Sequence, residues 1–149
     1  MEPTKIFELG FGKTQYQMTA EPLGIKGDVP QWLEGMLIRN GPGTFTVGEA
    51  RYRHWFDGLA MLHKFNIKGG EVLYSNRFLD TQSYRTAQEE GKIVYSEFAT
   101  DPERTFIQKV QNVFEPKITD SAKVNVAKFG DDYMALAETP IQILFDPET

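Results

Sequence analysis

The amino-acid sequence predicts a mostly β protein in which short antiparallel strands follow one another along the chain. Short apolar runs recur between turn signals, and two of them alternate apolar with polar residues, which is the period of a half-buried strand. The alternating residues are Val72, Tyr74 and Phe78 in one run and Ile141, Ile143 and Phe145 in the other. Regular short strands separated by turns indicate an antiparallel sandwich, a barrel or a propeller.

The position of each element follows from the turn signals. Residues 1–30 are predicted to form an N-terminal arm, because Gly, Pro and polar residues interrupt every apolar cluster there. The predicted strands after the arm cover residues 36–39, 59–67, 71–78, 92–98, 123–129, 133–137 and 141–145. Arg39-Asn40-Gly41-Pro42-Gly43 predicts a sharp end to the first of them, since proline has no N–H for a ladder. Lys68-Gly69-Gly70 and Gly130-Asp131-Asp132 are typical hairpin connections.

Two helices are predicted. Asp101 offers an N-cap for a helix over residues 102–114, and Pro102 suits its first turn. Apolar residues then recur at helical spacing, at Phe106, Ile107, Val110, Val113 and Phe114. Such a stripe packs most often on a core, but the flanking cations Arg104, Lys109 and Lys117 also suit a membrane surface or the mouth of a substrate tunnel. A shorter helix is predicted over residues 83–90.

Composition limits the classes of protein to which the chain can belong. Its 149 residues are 40% hydrophobic and 25% charged, which suits one globular domain with a core. The formal net charge of −5 argues against a nucleic-acid partner, because contact with phosphates requires a basic surface. The absence of cysteine excludes disulfides, thiolate catalysis and cysteine-based metal sites.

The distribution of apolar residues along the sequence indicates where in the cell the protein is expected. Met1-Glu2-Pro3-Thr4-Lys5 does not begin the basic and then apolar pattern of a secretory signal. No apolar run approaches the ~20 residues that span a bilayer. We therefore expect a cytoplasmic protein that is soluble or at most peripherally attached to a membrane.

The two histidines are weak evidence for a metal site. His54 and His63 flank Asp57, so a His-Asp-His cluster is conceivable. Two imidazoles and one carboxylate in this arrangement are more typical of loop anchors or core residues than of metal ligands.

Four charged residues lie next to apolar runs, where solvation is reduced. Arg39 and Asp57 lie between apolar residues and sharp turns, so both are expected to be buried and paired, with each other or with loop backbone. Glu97 and Glu138 each end an apolar run. A carboxylate in such a position suits a structural anchor and a site residue equally well.

The densest cluster of turn signals lies between Trp32 and His63. Together with later segments, it resembles the N-terminal signature of the carotenoid cleavage oxygenase family, which includes the retinoid isomerohydrolases. The segments that carry the resemblance, in family order, are Val29-Pro30-Gln31-Trp32-Leu33-Glu34-Gly35, Arg39-Asn40-Gly41-Pro42-Gly43, His54-Trp55-Phe56-Asp57-Gly58, Ser96-Glu97-Phe98, Asp120-Ser121-Ala122-Lys123-Val124-Asn125-Val126, Glu138-Thr139 and Asp146-Pro147-Glu148-Thr149. The set in this order is highly specific and covers residues 28–149.

The resemblance implies that residues 31–149 are the first blades of a seven-bladed β-propeller, with one or two short helices from the dome that caps it. Family members hold a non-haem Fe(II) on the propeller axis with four histidines. The chain stops before the His-Pro-His segment that carries the first of these ligands, and His54 and His63 match family histidines that are not ligands. The resemblance therefore implies an incomplete propeller domain with no iron ligand of its own.

The resemblance also implies roles for single residues. Glu138 matches a carboxylate that hydrogen-bonds an iron-ligand imidazole, which here lies outside the chain. Phe56 and Phe98 match aromatic residues that line the substrate cavity. Ala137 matches a substrate-cavity position where some relatives carry a small hydroxyl residue beside the iron, which argues against isomerohydrolase chemistry. Structural roles are expected for Arg39, Asp57, His54 and His63.

The function implied is that of the N-terminal part of an Fe(II)-dependent oxygenase that cleaves a polyene double bond with O₂. Its substrate is expected to be a carotenoid or apocarotenoid, with a peripheral membrane contact through residues 102–114. The chain alone is expected to be inactive and to hold no cofactor. Two alternatives stay open: a non-catalytic module that binds an apolar ligand, and a purely structural β-module.

Overall fold

The computed structural model describes residues 16–102 and 119–148, which form two antiparallel sheets, a small hairpin, an α-helix and a short 3-10 helix at Trp55–Asp57. The strands are β1 Met18–Pro22, β2 Gly35–Thr44, β3 Thr46–Val47, β4 Ala50–Arg51, β5 Leu59–Lys68, β6 Glu71–Phe78, β7 Asn125–Phe129, β8 Asp132–Leu136 and β9 Ile143–Phe145. The larger sheet has the order β1-β6-β5-β2 and the smaller one the order β7-β8-β9, while β3 pairs only with β4.

Glycine turns set the register of the predicted hairpins. Gly69 and Gly70 join β5 to β6 at φ values of 59° and 82°, a left-handed conformation that favours glycine. Lys68 consequently lies opposite Glu71, and the two strands stay in register as far as Met61 and Phe78. Gly130 has a φ of 60° between β7 and β8. Both predicted hairpins are confirmed.

The first predicted strand is longer than expected. β2 continues through the Arg-Asn-Gly-Pro-Gly segment to Thr44 and pairs with β5 along its whole length. The proline is tolerated because β2 is an edge strand and its register shifts between Pro42 and Thr44. Gly43 permits close packing here, since a Cβ at this position would lie 2.6 Å from the Met61 Cβ.

Part of the predicted arm belongs to the larger sheet. β1 pairs with β6, although all five of its residues are exposed. Side chains of β6 hold it in place: the Met18 N–H donates to Asn76 Oδ1 at 2.6 Å and the Ala20 N–H donates to Ser75 Oγ at 2.9 Å. The apolar pattern of the arm carried no sign of this pairing, because the partner strand supplies the acceptors.

The prediction of a strand over residues 92–98 is wrong. This segment is irregular, and the Glu97 N–H donates to the Thr100 carbonyl in a local turn at 2.9 Å. Only Ile93 in it joins a core cluster of buried residues. The apolar run therefore reflects packing of single side chains and not pairing in a sheet.

The shorter predicted helix is confirmed as α1, Gln82–Glu90. Thr81 caps its N-terminus by accepting from the Tyr84 N–H at 3.0 Å, and Gly91 ends it in the left-handed conformation. Asp120 also accepts from the Ser83 N–H at 2.9 Å, which ties α1 to the segment before β7. The predicted helix at 102–114 lies almost entirely outside the described residues.

Two hydrophobic clusters hold the elements together. The first lies between α1 and the small hairpin and contains Phe45, Val47, Tyr52, Leu59, Ala87 and Ile93. The second joins the two sheets and contains Ala60, Leu79, Ala122 and Ala135. Asn40 adds a polar link between the sheets, since its Nδ2 donates to the Ala122 carbonyl at 2.7 Å and to the Asn125 carbonyl at 3.2 Å. Within the described ranges, no helix is long and apolar enough to cross a membrane.

Candidate functional site

A cleft of about 790 Å³ is lined by residues from the end of β2, the turn before β5, β5 itself, the irregular 96–98 segment, the segment before β7 and the connection between β8 and β9. It brings together seven residues that the sequence singled out, namely Arg39, Phe56, His63, Glu97, Phe98, Ala137 and Glu138. His54 and Asp57 lie immediately behind its aromatic wall. The predicted site residues, which are far apart in the sequence, thus meet in one place.

Aromatic rings form one wall of the cleft. Phe56 and Phe98 meet edge to face with their centroids 5.8 Å apart. The His54 ring packs against both, at 4.9 Å from Phe56 and 5.0 Å from Phe98. The two phenylalanines are nevertheless 53% and 71% exposed. They present apolar surface that a bound molecule could cover.

Asp57 anchors this wall from behind. It is fully buried, and its carboxylate accepts hydrogen bonds from the Thr100 hydroxyl at 2.6 Å and from the Ala99 N–H at 3.2 Å. Thr100 Oγ1 in turn accepts from the Arg53 N–H at 2.7 Å. Asp57 is therefore buried and paired with loop backbone, as predicted, and it holds the segment that carries Phe98.

The prediction that Arg39 is buried is wrong. Side chains alternate along β2, and Arg39 falls on the exposed set together with Leu37, whereas Ile38 and Asn40 are partly buried. Arg39 lies opposite His63 in the ladder. The edge position of β2 leaves this cation in solvent, so no buried partner is needed.

The surroundings of His63 disfavour its charged form. Its Nδ1 lies 2.6 Å from the Tyr74 hydroxyl, with which it shares a hydrogen bond. Burial lowers the pKa of His63, and the nearby Arg39 charge lowers it further. His54, by contrast, accepts from the Phe56 N–H through its Nδ1 at 3.2 Å. The two histidines serve different local partners.

No metal centre is visible within residues 16–102 and 119–148. No three His, Cys, Asp or Glu side chains converge there in a way that could hold an ion. Asp57 bonds to Thr100 and the Ala99 N–H, and each histidine has a protein partner of its own. The His-Asp-His cluster considered from the sequence does not form.

A buried ion pair occupies the polar side of the cleft. Lys123 Nζ lies 2.8 Å from Glu97 Oε2, and the two side chains are 9% and 3% exposed. Thr119 Oγ1 donates to Glu97 Oε1 at 2.6 Å. Burial raises the pKa of Glu97 and outweighs the lowering by Lys123 and Thr119, with a further small rise from Asp57.

The sequence analysis missed Lys123. From the sequence, the position of Glu97 suited a structural anchor and a site residue equally well. The structure places Glu97 in the cleft, paired with a cation 26 residues away. The sequence pattern that could have pointed to Lys123 is the alternation of Thr119, Ser121 and Lys123 just before β7. In extended chain such residues share a side, and all three line the cleft.

Ala137 and Glu138 follow β8 and line the same cleft. Ala137 is partly buried against the second hydrophobic cluster, and Glu138 is exposed. No described residue donates a hydrogen bond to the Glu138 carboxylate, although the residue lines the cleft. It is therefore available to a group outside the described part of the chain.

Comparison with known proteins supports the resemblance seen in the sequence. The family model "RPE65: Retinal pigment epithelial membrane protein" matches residues 11–149. The human "Beta,beta-carotene 15,15'-dioxygenase" is 42% identical over 148 residues, covering 93% of this chain and 27% of the relative. The "Carotenoid isomerooxygenase" of Galleria mellonella is 40% identical over 137 residues, covering 87% of this chain and 27% of the relative.

Solved structures confirm the fold class. Cobalt-substituted Synechocystis ACO matches with a TM-score of 0.84 and 28% identity over 96% of this chain and 30% of that one. An ACO/RPE65 chimera matches with a TM-score of 0.85, 28% identity and the same coverage. The two sheets are thus part of a β-propeller.

The chain spans about a quarter of the length of the curated relatives that it matches and 30% of the solved chains. The residues that the family model matches, 11–149, include every segment on which the resemblance rests. The chain belongs to the retinal pigment epithelial membrane protein (RPE65) family, the carotenoid cleavage oxygenases.

Proposed function

We propose that this chain forms the N-terminal part of a carotenoid or apocarotenoid oxygenase that cleaves a polyene double bond with O₂, giving two carbonyl products. The observation that carries the proposal is the cleft with its exposed Phe56–Phe98 wall. Its volume of about 790 Å³ is within the usual range for small-molecule sites. The relatives named for carotenoid oxygenases support the choice of ligand class.

The aromatic wall would contribute binding energy by the hydrophobic effect. Covering a phenylalanine side chain that is otherwise in water is worth about 1.5–3 kcal/mol. Phe56 and Phe98 both have surface left to cover, and His54 and Asp57 hold them in place from behind. A rigid apolar wall suits a long, rigid polyene, because neither partner loses much conformational freedom on binding.

The proposed enzyme requires Fe(II), which the described residues do not suit on their own. Neither histidine is directed to a shared point with carboxylates, and no three ligating side chains converge within the described ranges. We propose that Glu138 acts on such a metal indirectly, by accepting a hydrogen bond from the imidazole of an iron ligand outside this chain. Its exposed carboxylate at the rim of the cleft supports this role.

A substitution at Glu138 tests that role. Glu138→Gln in the iron-loaded full-length gene product should lower iron occupancy or affinity by about 10–100-fold and leave thermal unfolding unchanged. Glu148→Gln is the matched control, because Glu148 is also exposed and does not line this cleft. Unchanged iron content in Glu138→Gln would contradict the proposal.

Ligand binding tests the proposed function directly. Trp55 lines the cleft, so a polyene that enters it should quench Trp55 fluorescence in the 149-residue chain carrying Trp32→Phe, since this sequence contains no third tryptophan. β-Carotene in detergent micelles should quench saturably, and Phe56→Ala or Phe98→Ala should weaken binding about tenfold. Phe129→Ala is the control, since Phe129 is similarly exposed but lies outside the cleft. Equal effects of all three substitutions would contradict the cleft as the site.

Oxygen incorporation tests the reaction. The iron-loaded full-length gene product, incubated with β-carotene under ¹⁸O₂, should release labelled aldehyde or ketone products that mass spectrometry detects. Binding without any cleavage would favour a module that only holds an apolar ligand. Neither binding nor cleavage would favour a structural role.

We also propose a cytoplasmic location with a peripheral membrane contact through residues 102–114. The proposal rests on the apolar stripe and its flanking cations in the sequence, since residues 103–118 lie outside the described ranges. Flotation with phosphatidylserine-containing vesicles should carry the protein upward, and Phe106→Ser together with Phe114→Ser should abolish it. Flotation that the double substitution does not change would contradict the contact.

A further inference from the structure

The extended segment before β7 turns alternate side chains toward the cleft. Thr119, Ser121 and Lys123 all line it. The residues between them face elsewhere, since Asp120 accepts from the α1 backbone and Ala122 is fully buried in the second hydrophobic cluster. The segment is therefore anchored from behind, and its polar residues hold fixed positions in the cleft wall.

Two of these residues carry hydrogen-bond donors that the described protein does not use fully. The Lys123 ammonium has three N–H groups and makes one hydrogen bond within residues 16–102 and 119–148, to Glu97. Ser121 is 3% exposed, and its Oγ has no hydrogen-bond partner in the same ranges. A buried hydroxyl without a partner is costly, so such a group in a cleft indicates a place for a ligand atom.

The charges around Lys123 and Ser121 limit the kind of ligand that these two residues can bind. Glu97 already neutralises Lys123 at 2.8 Å, and both side chains are almost completely buried. A carboxylate ligand would add a second anion to one cation in a poorly solvated place, which is unfavourable. A neutral oxygen that accepts hydrogen bonds meets no such penalty, and within the described ranges both residues have a donor without a partner.

We propose that Lys123 and Ser121 form a polar corner that binds a neutral hydroxyl or carbonyl oxygen at one end of the polyene, so that the cleft selects oxygen-bearing polyenes over hydrocarbon ones. The inference rests on the proposed function, because the aromatic wall supplies the affinity for the polyene itself. The corner then determines which polyenes are preferred and in which direction they lie.

The experiment compares two probes that differ in oxygen content. β-Carotene and its dihydroxylated derivative are titrated, in the same micelles, against the full chain with Trp32→Phe, and quenching of Trp55 is followed. The dihydroxylated probe should bind about tenfold more tightly, which is the effect expected for a hydrogen bond to a charged donor. Ser121→Ala should reduce the preference for the dihydroxylated probe.

A second variant examines Lys123 without leaving a charge unpaired. Lys123→Met combined with Glu97→Gln replaces the ion pair by neutral side chains of similar size and should remove most of the preference. Circular dichroism melts confirm that each variant is folded. If the double variant does not fold, Ser121→Ala alone decides the question.

The outcomes separate this inference from the proposed function. Saturable binding of both probes with equal affinity overturns the polar corner and leaves the apolar cleft intact. A preference that survives in Ser121→Ala and in the double variant also overturns it. Binding of neither probe overturns the proposed function, and this inference with it.

Discussion

The carboxylate of Asp57 accepts a hydrogen bond of 2.6 Å from the hydroxyl of Thr100, and both side chains are buried. This contact joins the turn that carries Phe56 to the segment that carries Phe98, although the two phenylalanines are 42 residues apart in the sequence. The aromatic wall of the cleft is thus positioned by a polar contact behind it, and not by packing of the rings alone.

Asp57→Ala should destabilise the protein by about 2–3 kcal/mol, because it leaves the buried Thr100 hydroxyl without an acceptor and removes the acceptor of the Ala99 N–H. Urea unfolding followed by circular dichroism measures the change. Asp131→Ala, in the exposed turn between β7 and β8, is the control and should change the free energy of unfolding by less than about 0.5 kcal/mol. Equal stability of the two variants would mean that Asp57 anchors nothing.

Glu97 should make the protein less stable as the pH rises. Its folded pKa is raised above the usual 4.5, so the folded protein binds this proton more tightly than the unfolded chain. Its contribution to stability is complete below pH 4.5 and is lost as the pH rises through the folded pKa. Glu97→Gln should remove this part of the pH dependence. Urea unfolding of both proteins across pH 4 to 8 measures it, and parallel curves would contradict the assignment.

His63 should titrate below its usual pKa of 6.5, mainly because it is partly buried. Its stabilising contribution is complete above pH 6.5 and is lost as the pH falls through the folded pKa. Arg39→Gln should raise the pKa of His63 without restoring the usual value, since burial is the larger cause. NMR titration of the His63 ring signals in both proteins measures the change in its pKa. A pKa that does not respond to Arg39→Gln would rule out this charge effect.

Gly43→Ala should destabilise the larger sheet by about 1–3 kcal/mol, as overpacking does in a close-packed interior. The added Cβ would lie 2.6 Å from the Met61 Cβ and 2.9 Å from the Phe78 ring. Gly41→Ala in the same strand is a matched control, because a Cβ there meets nothing within 4 Å. Thermal unfolding compares the two, and a smaller loss for Gly43→Ala than for Gly41→Ala would contradict the close approach.

Local signals predicted the elements that depend on neighbouring residues. The Gly69-Gly70 turn determines the β5–β6 hairpin through backbone conformations that few other residues adopt. Thr81 and Gly91 bound α1 because their capping groups act within one helical turn. The family motifs likewise named Phe56, Phe98, Ala137 and Glu138, which the structure brings to one cleft.

Only the tertiary structure decided what depends on distant partners. The sequence by itself determined a mostly β chain of this family, with its hairpins and its short helix. It did not determine that β1 would join the sheet, that Arg39 would face solvent or that residues 92–98 would not be a strand. Nor did it pair Lys123 with Glu97, 26 residues apart. The physical reason is that edge position, burial and ion pairing depend on contacts with distant parts of the chain. Local propensity depends only on neighbouring residues and therefore cannot predict them.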